Sequence, residues 1–357
     1  MRLVVTGGGT GGHVYPALEV ARLAAENGAE LLYLGSLRGQ ESKLCQALGI
    51  LFKGFPAEPL YSLKTPRGWR SAIALLRARS MAKAHLAVAK PDVVFSTGGY
   101  SAGPVLAGAR ALGIPYVIHD GNSVPGRANR MFGRAARAFL STFFATERFY
   151  KDRPVTRTGQ PIRIALRDAA RQVAGSHAEA RATILVLGGS QGSAYLNEAT
   201  PNAIAALDSP LRVIHASGPS HIEPTRSRVE RFGLKDYRVE PYLDSAAISQ
   251  AYREADLVVC RSGGTLAELA MFGLPSVLVP LPTSADDHQR HNAREFAEMN
   301  AASVAEQESA PYSATVQAIR GWLCDFAKRE QAAKALKEWD VPDATERIWG
   351  HILSASR

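Results

Sequence analysis

Short runs of consecutive apolar residues alternate along the chain with stretches where apolar residues return every three or four positions. The runs in the first half are LVVT (3–6), LLYLG (31–35), DVVFS (92–96) and PYVIH (115–119). Those in the second half are ATILVLG (182–188), RVIHAS (212–217), DLVVC (256–260) and PSVLVP (275–280). Uninterrupted apolar runs predict strands buried on both faces. The amphipathic stretches between them, such as PALEVARLAAEN and YLNEATPNAIAAL, predict the covering helices. The fold class that follows is α/β, with doubly wound parallel sheets.

The pattern restarts once. LVVTGGGTGG (3–12) and TILVLGGSQG (183–192) are each a buried strand, a glycine loop and a helix start. Two such starts predict two Rossmann-like halves in tandem, with TRTGQPIR (156–163) as the linker. Ligands of such sheets bind beyond the carboxyl ends of the strands, so two facing halves would form a cleft fed by loops from both. A length of 357 residues agrees with two domains.

The formal net charge of +9 points to an anionic partner. No RNA-binding signature or aromatic-basic interleaving is present, which disfavours nucleic acid. Cys45, Cys260 and Cys324 are far apart and form no metal-type pair, as expected of a reducing compartment. The first strand starts at once, leaving no room for a signal peptide, and no apolar run reaches the length of a membrane span.

The first glycine loop admits two readings. Gly7, Gly9 and Gly12 satisfy G-x-G-x-x-G, the dinucleotide fingerprint. The second strand, however, ends LLYLGSLRG without the carboxylate that binds the ribose of NAD, although Ser36 and Arg38 would suit the phosphate of NADP. The bland reading is that the glycines only allow close helix–strand packing. His13 tells against the oxidoreductase: at a helix start the positive dipole end opposes the imidazolium and favours a neutral imidazole, a suitable general base. A histidine that merely caps the loop is its alternative.

In the second half, GGSQGS (188–193) offers backbone donors with Ser190 and Gln191 at a helix start, able to hold a diphosphate without metal. CRSGGTLAELAMFG (260–273) is another strand–glycine–helix turn, with Gly264, Thr265 and Glu268. Glu268 can accept both hydroxyls of a ribose or, with Thr265, complete a capping box. Gln289 and Asn292, in DDHQRHNA (286–293), share a helix face as amide ligands for a sugar. Asp286, Asp287, His288 and His291 suggest a metal, but no aspartates anywhere in the chain stand two apart as D-x-D. A divalent cation is therefore not predicted, and leaving-group charge falls to helix termini and Arg163.

GGGTGGHVYPA, GGYSAGP (98–104), HDGNSVPG (119–126), GQPIR (159–163), GGSQGS and DDHQRHNA occur in the order of one family. The chain resembles the MurG family over essentially its whole length. The resemblance implies the GT-B arrangement of two Rossmann-like domains around a cleft. It implies an inverting transfer of N-acetylglucosamine from UDP-N-acetylglucosamine to the muramyl 4-hydroxyl of undecaprenyl-pyrophosphoryl-MurNAc-pentapeptide (lipid I), giving lipid II for peptidoglycan. DATERIWGHIL would cross back to the first domain, so the expected division is 1–158 plus 340–357 for acceptor and membrane, and 159–339 for donor. A UDP-sugar 2-epimerase on the same frame and an NADP oxidoreductase are the alternatives.

By resemblance, Thr10, Gly11 and Gly12 lie beside the transferred sugar and the acceptor pyrophosphate. His13 is the position of base or acceptor contact, with Asp120 as the alternative base. Asn122 and Gln289 face the donor sugar, Arg163, Gly189, Ser190 and Gln191 the diphosphate, and Leu243 the uracil. Gly264 and Thr265 lie at the donor turn, and Glu268 meets the ribose. HDGN replaces the family's H-E-Q-N, GQPIR its G-N-P-V-R, and RSGGTLAE is one residue shorter than R-x-G-A-x-T-x-x-E. Tyr100 belongs to the acceptor and membrane side.

A lipid-linked acceptor requires contact with a bilayer. KTPRGWRSAIALLRARSMAK (64–83) sets Trp69, Ile73 and Leu76 on one helical stripe among Lys64, Arg67, Arg70, Arg77 and Arg79, suited to an anionic inner-membrane surface. Arg127, Arg130, Arg134 and Arg137 form a second stripe. The competing reading buries the apolar stripe in the core and solvates the charges. The expected location is the cytoplasmic face of the bacterial membrane, held peripherally, in the company of other cell-wall synthesis proteins.

Overall fold

The computed structural model describes residues 1–58, 64–172, 181–189, 191–207 and 209–357. The chain divides into two units, Met1–Arg163 with Asp343–Arg357, and Ile164–Pro342.

The first unit is built on β1 (Arg2–Thr6), β2 (Glu30–Ser36), β3 (Leu51–Phe55), β4 (Val93–Ser96), β5 (Tyr116–Asp120), β6 (Ala138–Ser141) and β7 (Thr156–Arg157). They form one parallel sheet in the order β3-β2-β1-β4-β5-β6-β7. In the centre Val4 stands between Leu32 and Val94. Alternate residues of β1 serve opposite layers, with Leu3 and Val5 in one buried cluster and Val4 in the other. This is why the central strands read as unbroken apolar runs.

Helix Ala344–Ala355 closes one of those layers, burying Ile348, Trp349 and Ile352 against Leu3, Val5, Val93 and Val117. The break after Arg163 falls a few residues beyond the 158/159 position expected from sequence, because GQPIR is tied to the first sheet. Gly159 N–H donates to the Ser141 carbonyl (3.2 Å), and Thr142 Oγ1 donates to Gln160 Oε1 (2.6 Å).

The second unit has β8 (Ala182–Leu187), β9 (Leu211–Ala216), β10 (Tyr237–Glu240), β11 (Leu257–Cys260), β12 (Ser276–Leu278) and β13 (Ala302–Val304). Its parallel order is β10-β9-β8-β11-β12-β13, the same winding as the first. The buried ion pair Arg167–Asp340, with Arg167 also donating to the Val341 carbonyl (3.0 Å), joins the beginning of this unit to its end. In both sheets the strand order reverses beside the first strand, at β1/β4 and β8/β11. The loops leaving those four strands carry the glycine motifs, at the positions where such sheets bind ligands.

Candidate active site

In the first unit the loop after β1 (7–10) meets the loop after β4 (98–101). Gly8 N–H donates to the Gly98 carbonyl (3.2 Å). A Cβ on Gly99, whose φ is +87°, would stand 2.0 Å from the Gly8 oxygen. Gly9, at φ +96°, lies under the Tyr100 ring, where a Cβ would come within 2.5 Å. The glycines are therefore required for close approach of two backbones and a ring. Tyr100 belongs to the surroundings of the first glycine loop.

Thr10 is the N-cap of helix Gly11–Glu26 and makes no side-chain cap, so His13 sits in the first turn. His13 Nδ1 is 2.9 Å from the Thr97 carbonyl, while Thr97 Oγ1 donates to the His13 carbonyl (2.7 Å). A carbonyl can only accept, so Nδ1 carries the hydrogen and the basic nitrogen of the neutral ring is Nε2.

Asp120, the alternative base, is fully buried. Its Oδ1 accepts from Asn122 N–H (3.0 Å), and its Oδ2 from Gly126 N–H (2.9 Å) and Asn129 Nδ2 (2.7 Å). Burial pushes its carboxyl above the usual aspartate range, whereas these donors and the charge of His13 pull it back. A carboxylate so enclosed organises the HDGN turn and is badly placed to receive a substrate proton. The neighbouring His119 meets the Gly159 carbonyl (2.8 Å), and burial lowers its pKa to about 4. Asn122 remains partly exposed, its carbonyl accepting from Thr146 Oγ1 (3.1 Å). Arg163, expected with the donor domain, belongs to the first unit, where its guanidinium lies 5.2 Å from the Tyr15 ring centre.

In the second unit the loop after β8 turns through Gly189 (φ +86°) and Gly192 (φ +78°). A Cβ on Gly192 would lie 1.9 Å from the Ser217 oxygen. Ser193 caps helix Ala194–Ala205, accepting from Leu196 N–H (3.3 Å), and Gly192 N–H donates to the Gly189 carbonyl (2.9 Å). Gln191 is exposed beside them; the Ser190 position lies outside the described residues.

After β11, Gly264 rather than Thr265 caps helix Thr265–Phe272, and it makes no side-chain cap. The capping box does not form. Glu268 Oε2 instead accepts from the buried Tyr252 Oη (2.6 Å). Leu243 is buried immediately before Asp244, whose Oδ1 caps helix Ser245–Glu254 by accepting from Ala246 N–H (3.0 Å) and Ala247 N–H (2.8 Å).

The Gln289–Asn292 pair separates into two roles. Gln289 is half-buried with Oε1 accepting from Leu281 N–H (2.9 Å). Asn292 is fully buried and donates to the Ser262 carbonyl (3.0 Å), so it ties the helix to the RSGG turn and is no sugar ligand. Among the described residues no group of three or more His, Cys, Asp or Glu side chains is arranged to hold a metal ion.

Helix Pro66–Ala89 decides the fate of the amphipathic stripe. Thr65 caps it by accepting from Gly68 N–H (3.1 Å), and Pro66 occupies its first position. The side turned inward carries Gly68, Ser71, Ala78, Ala82 and Leu86. Trp69, Ile73 and Leu76 are 62%, 50% and 65% exposed, so the stripe is not core. Helix Ala102–Ala111 approaches that side closely, with Leu86 packed over Gly108, where a Cβ would meet the Lys83 backbone at 3.2 Å. Lys64, Arg67, Arg70, Arg77 and Arg79 are exposed around the stripe, as are Arg127, Arg130, Arg134 and Arg137 of the second one. Among the described residues no helix is long and apolar enough to cross a membrane.

Sequence reading overlooked Thr97, which fixes the His13 tautomer, and Tyr252, which holds Glu268. Neither stands within a glycine motif that would have marked it.

Residues 3–141 match the glycosyltransferase family 28 N-terminal domain, and residues 183–348 the glycosyltransferase family 28 C-terminal domain. A Lactococcus lactis protein is 33% identical over 361 aligned positions covering 100% of both chains. It is named UDP-N-acetylglucosamine–N-acetylmuramyl-(pentapeptide) pyrophosphoryl-undecaprenol N-acetylglucosamine transferase. The crystal structure of Acinetobacter baumannii MurG covers 99% of each chain at 29% identity, with a TM-score of 0.80. A UDP-GlcNAc 2-epimerase from Neisseria meningitidis shares the fold alone, at 11% identity and a TM-score of 0.68 over 99% of this chain and 100% of that one. With two doubly wound units of GT-B type and 33% identity over the full length of a named transferase, the chain belongs to the MurG family of glycosyltransferases.

Proposed function

We propose that this chain transfers N-acetylglucosamine from UDP-N-acetylglucosamine to the 4-hydroxyl of the muramyl residue of lipid I, giving lipid II. The observation that carries this is the full-length match to transferases of that name. The epimerase and the oxidoreductase receive no comparable support.

In the reading favoured here, His13 Nε2 takes the proton of the acceptor hydroxyl as its oxygen bonds to the anomeric carbon. The bond from that carbon to the UDP oxygen breaks on the opposite face, so the configuration inverts. Loop amides around Thr10, Gly11 and Gly12 border the reacting sugars, and Gln289 of the second unit orients the donor sugar. The departing diphosphate is held by the 188–193 loop at the start of helix Ala194–Ala205, which can stabilise its charge without a metal. Leu243 meets the uracil through its backbone and Glu268 the ribose diol. The first unit receives the acceptor, the second the donor.

Calorimetric titration with UDP, UDP-N-acetylglucosamine and NADPH, without divalent metal, tests the donor site. Saturable binding of the two UDP ligands alone is expected. Glu268→Ala should weaken it roughly thirtyfold, the equivalent of about 2 kcal/mol of charge-assisted hydrogen bonding. Binding of NADPH alone would overturn the assignment.

The exposed Trp69, Ile73 and Leu76, ringed by cations, support peripheral attachment to anionic lipid on the cytoplasmic face. Trp69→Ser with Ile73→Ser should reduce partitioning into liposomes containing phosphatidylglycerol by about thirtyfold, from roughly 2 kcal/mol of lost apolar burial. Unaltered partitioning in co-sedimentation would sink this attachment.

A further inference from the structure

Glu268 does not stand alone in its turn. Its Oε2 accepts a 2.6 Å hydrogen bond from Tyr252 Oη. The Tyr252 side chain is only 2% exposed, and its ring lies 4.9 Å from that of Phe272, at the far end of the helix that carries Glu268. The phenol therefore has little freedom, and it holds one oxygen of the Glu268 carboxylate in place. Tyr252 also lies on helix Ser245–Glu254, whose N-cap, Asp244, directly follows Leu243. One short helix thus runs from the backbone assigned to the uracil to the phenol that holds the group assigned to the ribose.

We infer that Tyr252 is a positioning residue that fixes the Glu268 carboxylate for a vicinal diol, and so sets the preference for ribonucleotide over 2′-deoxyribonucleotide donors. This rests on the donor reading of Glu268. Each carboxylate oxygen can accept more than one hydrogen bond. Oε2 can therefore keep the phenol hydrogen while accepting one ribose hydroxyl, and Oε1 accepts the other. Tyr252 never touches the sugar. It holds the carboxylate plane across the two hydroxyls, and a donor lacking one of them leaves an oxygen of that plane unmatched.

The test compares UDP with 2′-deoxy-UDP by calorimetry in the wild type, Tyr252→Phe, Glu268→Gln and the double variant, alongside steady-state kinetics. Tyr252→Phe retains the ring packing, and melting temperature reports whether it folds. The wild type should prefer UDP, and Tyr252→Phe should lose most of that preference. KM for UDP-N-acetylglucosamine should rise about tenfold with kcat within about twofold, as expected for loss of one hydrogen bond to a charged group. The double variant should be little worse than Glu268→Gln alone, because the two residues act as one unit. A purely structural tyrosine would weaken UDP and 2′-deoxy-UDP equally, and that result would overturn the inference. So would an unchanged preference in Tyr252→Phe where Glu268→Gln abolishes it, an outcome that leaves the donor reading intact. Equal binding of both nucleotides by wild type and Glu268→Gln would instead overturn the ribose reading and the inference with it.

Discussion

Replacement of His13 by alanine is expected to lower turnover with lipid I by a factor of about 10²–10⁴, the range over which a positioned proton acceptor contributes. Donor affinity should stay within about twofold. The reasons are separate and all local. The Thr97 carbonyl claims Nδ1, which leaves Nε2 as the basic nitrogen. His13 lies in the first turn of helix Gly11–Glu26, where the loops after β1 and β4 meet. Wild-type kcat should fall as pH decreases through the titration of the imidazole, since only the neutral ring accepts a proton; in His13→Ala that limb should vanish. Steady-state kinetics from pH 5 to 9 check both points. Near-normal turnover with the limb intact would remove His13 from the mechanism.

The second large effect is structural. Gly99→Ala should destabilise the first unit by about 3 kcal/mol, combining a positive-φ penalty with the overlap of a methyl group and a carbonyl. The melting temperature should drop by roughly 6–12 °C on that basis. Its Cβ would meet the Gly8 oxygen at 2.0 Å, and neither loop can retreat without moving the other. Turnover should collapse even where the variant remains folded, because the displaced residues lead directly into Thr10 and His13. Thermal denaturation with single-turnover kinetics below the transition separates the two losses. A variant as stable and active as the wild type would show that the loops are not locked together.

The sequence disclosed what depends on steric necessity. Central strands such as Arg2–Thr6 and Ala182–Leu187 are buried on both faces and show it as apolar runs. The loops at the two switch points need glycine for close approach and show it as clusters. The edge strand Leu51–Phe55 escaped detection because half its side chains meet solvent, and Ala302–Val304 because three residues set no pattern. Contacts between distant elements were equally illegible. Spacing alone put Gln289 and Asn292 on one face, but only the RSGG turn decides that Asn292 is buried. The tautomer of His13 depends on a main-chain oxygen, which no residue type announces. The orientation of the Trp69 stripe was set by a neighbouring helix that packs against the opposite side, where Ala78, Ala82 and Leu86 are buried.

Helix Ala344–Ala355 has a consequence for synthesis. Ile348, Trp349 and Ile352 belong to the same buried layer as Leu3 and Val5, although the whole of Ile164–Pro342 is translated between them. On the ribosome the first unit therefore waits, one helix short of that layer, while the second is made. A nascent chain stalled near residue 342 would carry an apolar face on β1 and β4 for a chaperone to shield. In this protein the part that begins folding first is the last to be finished.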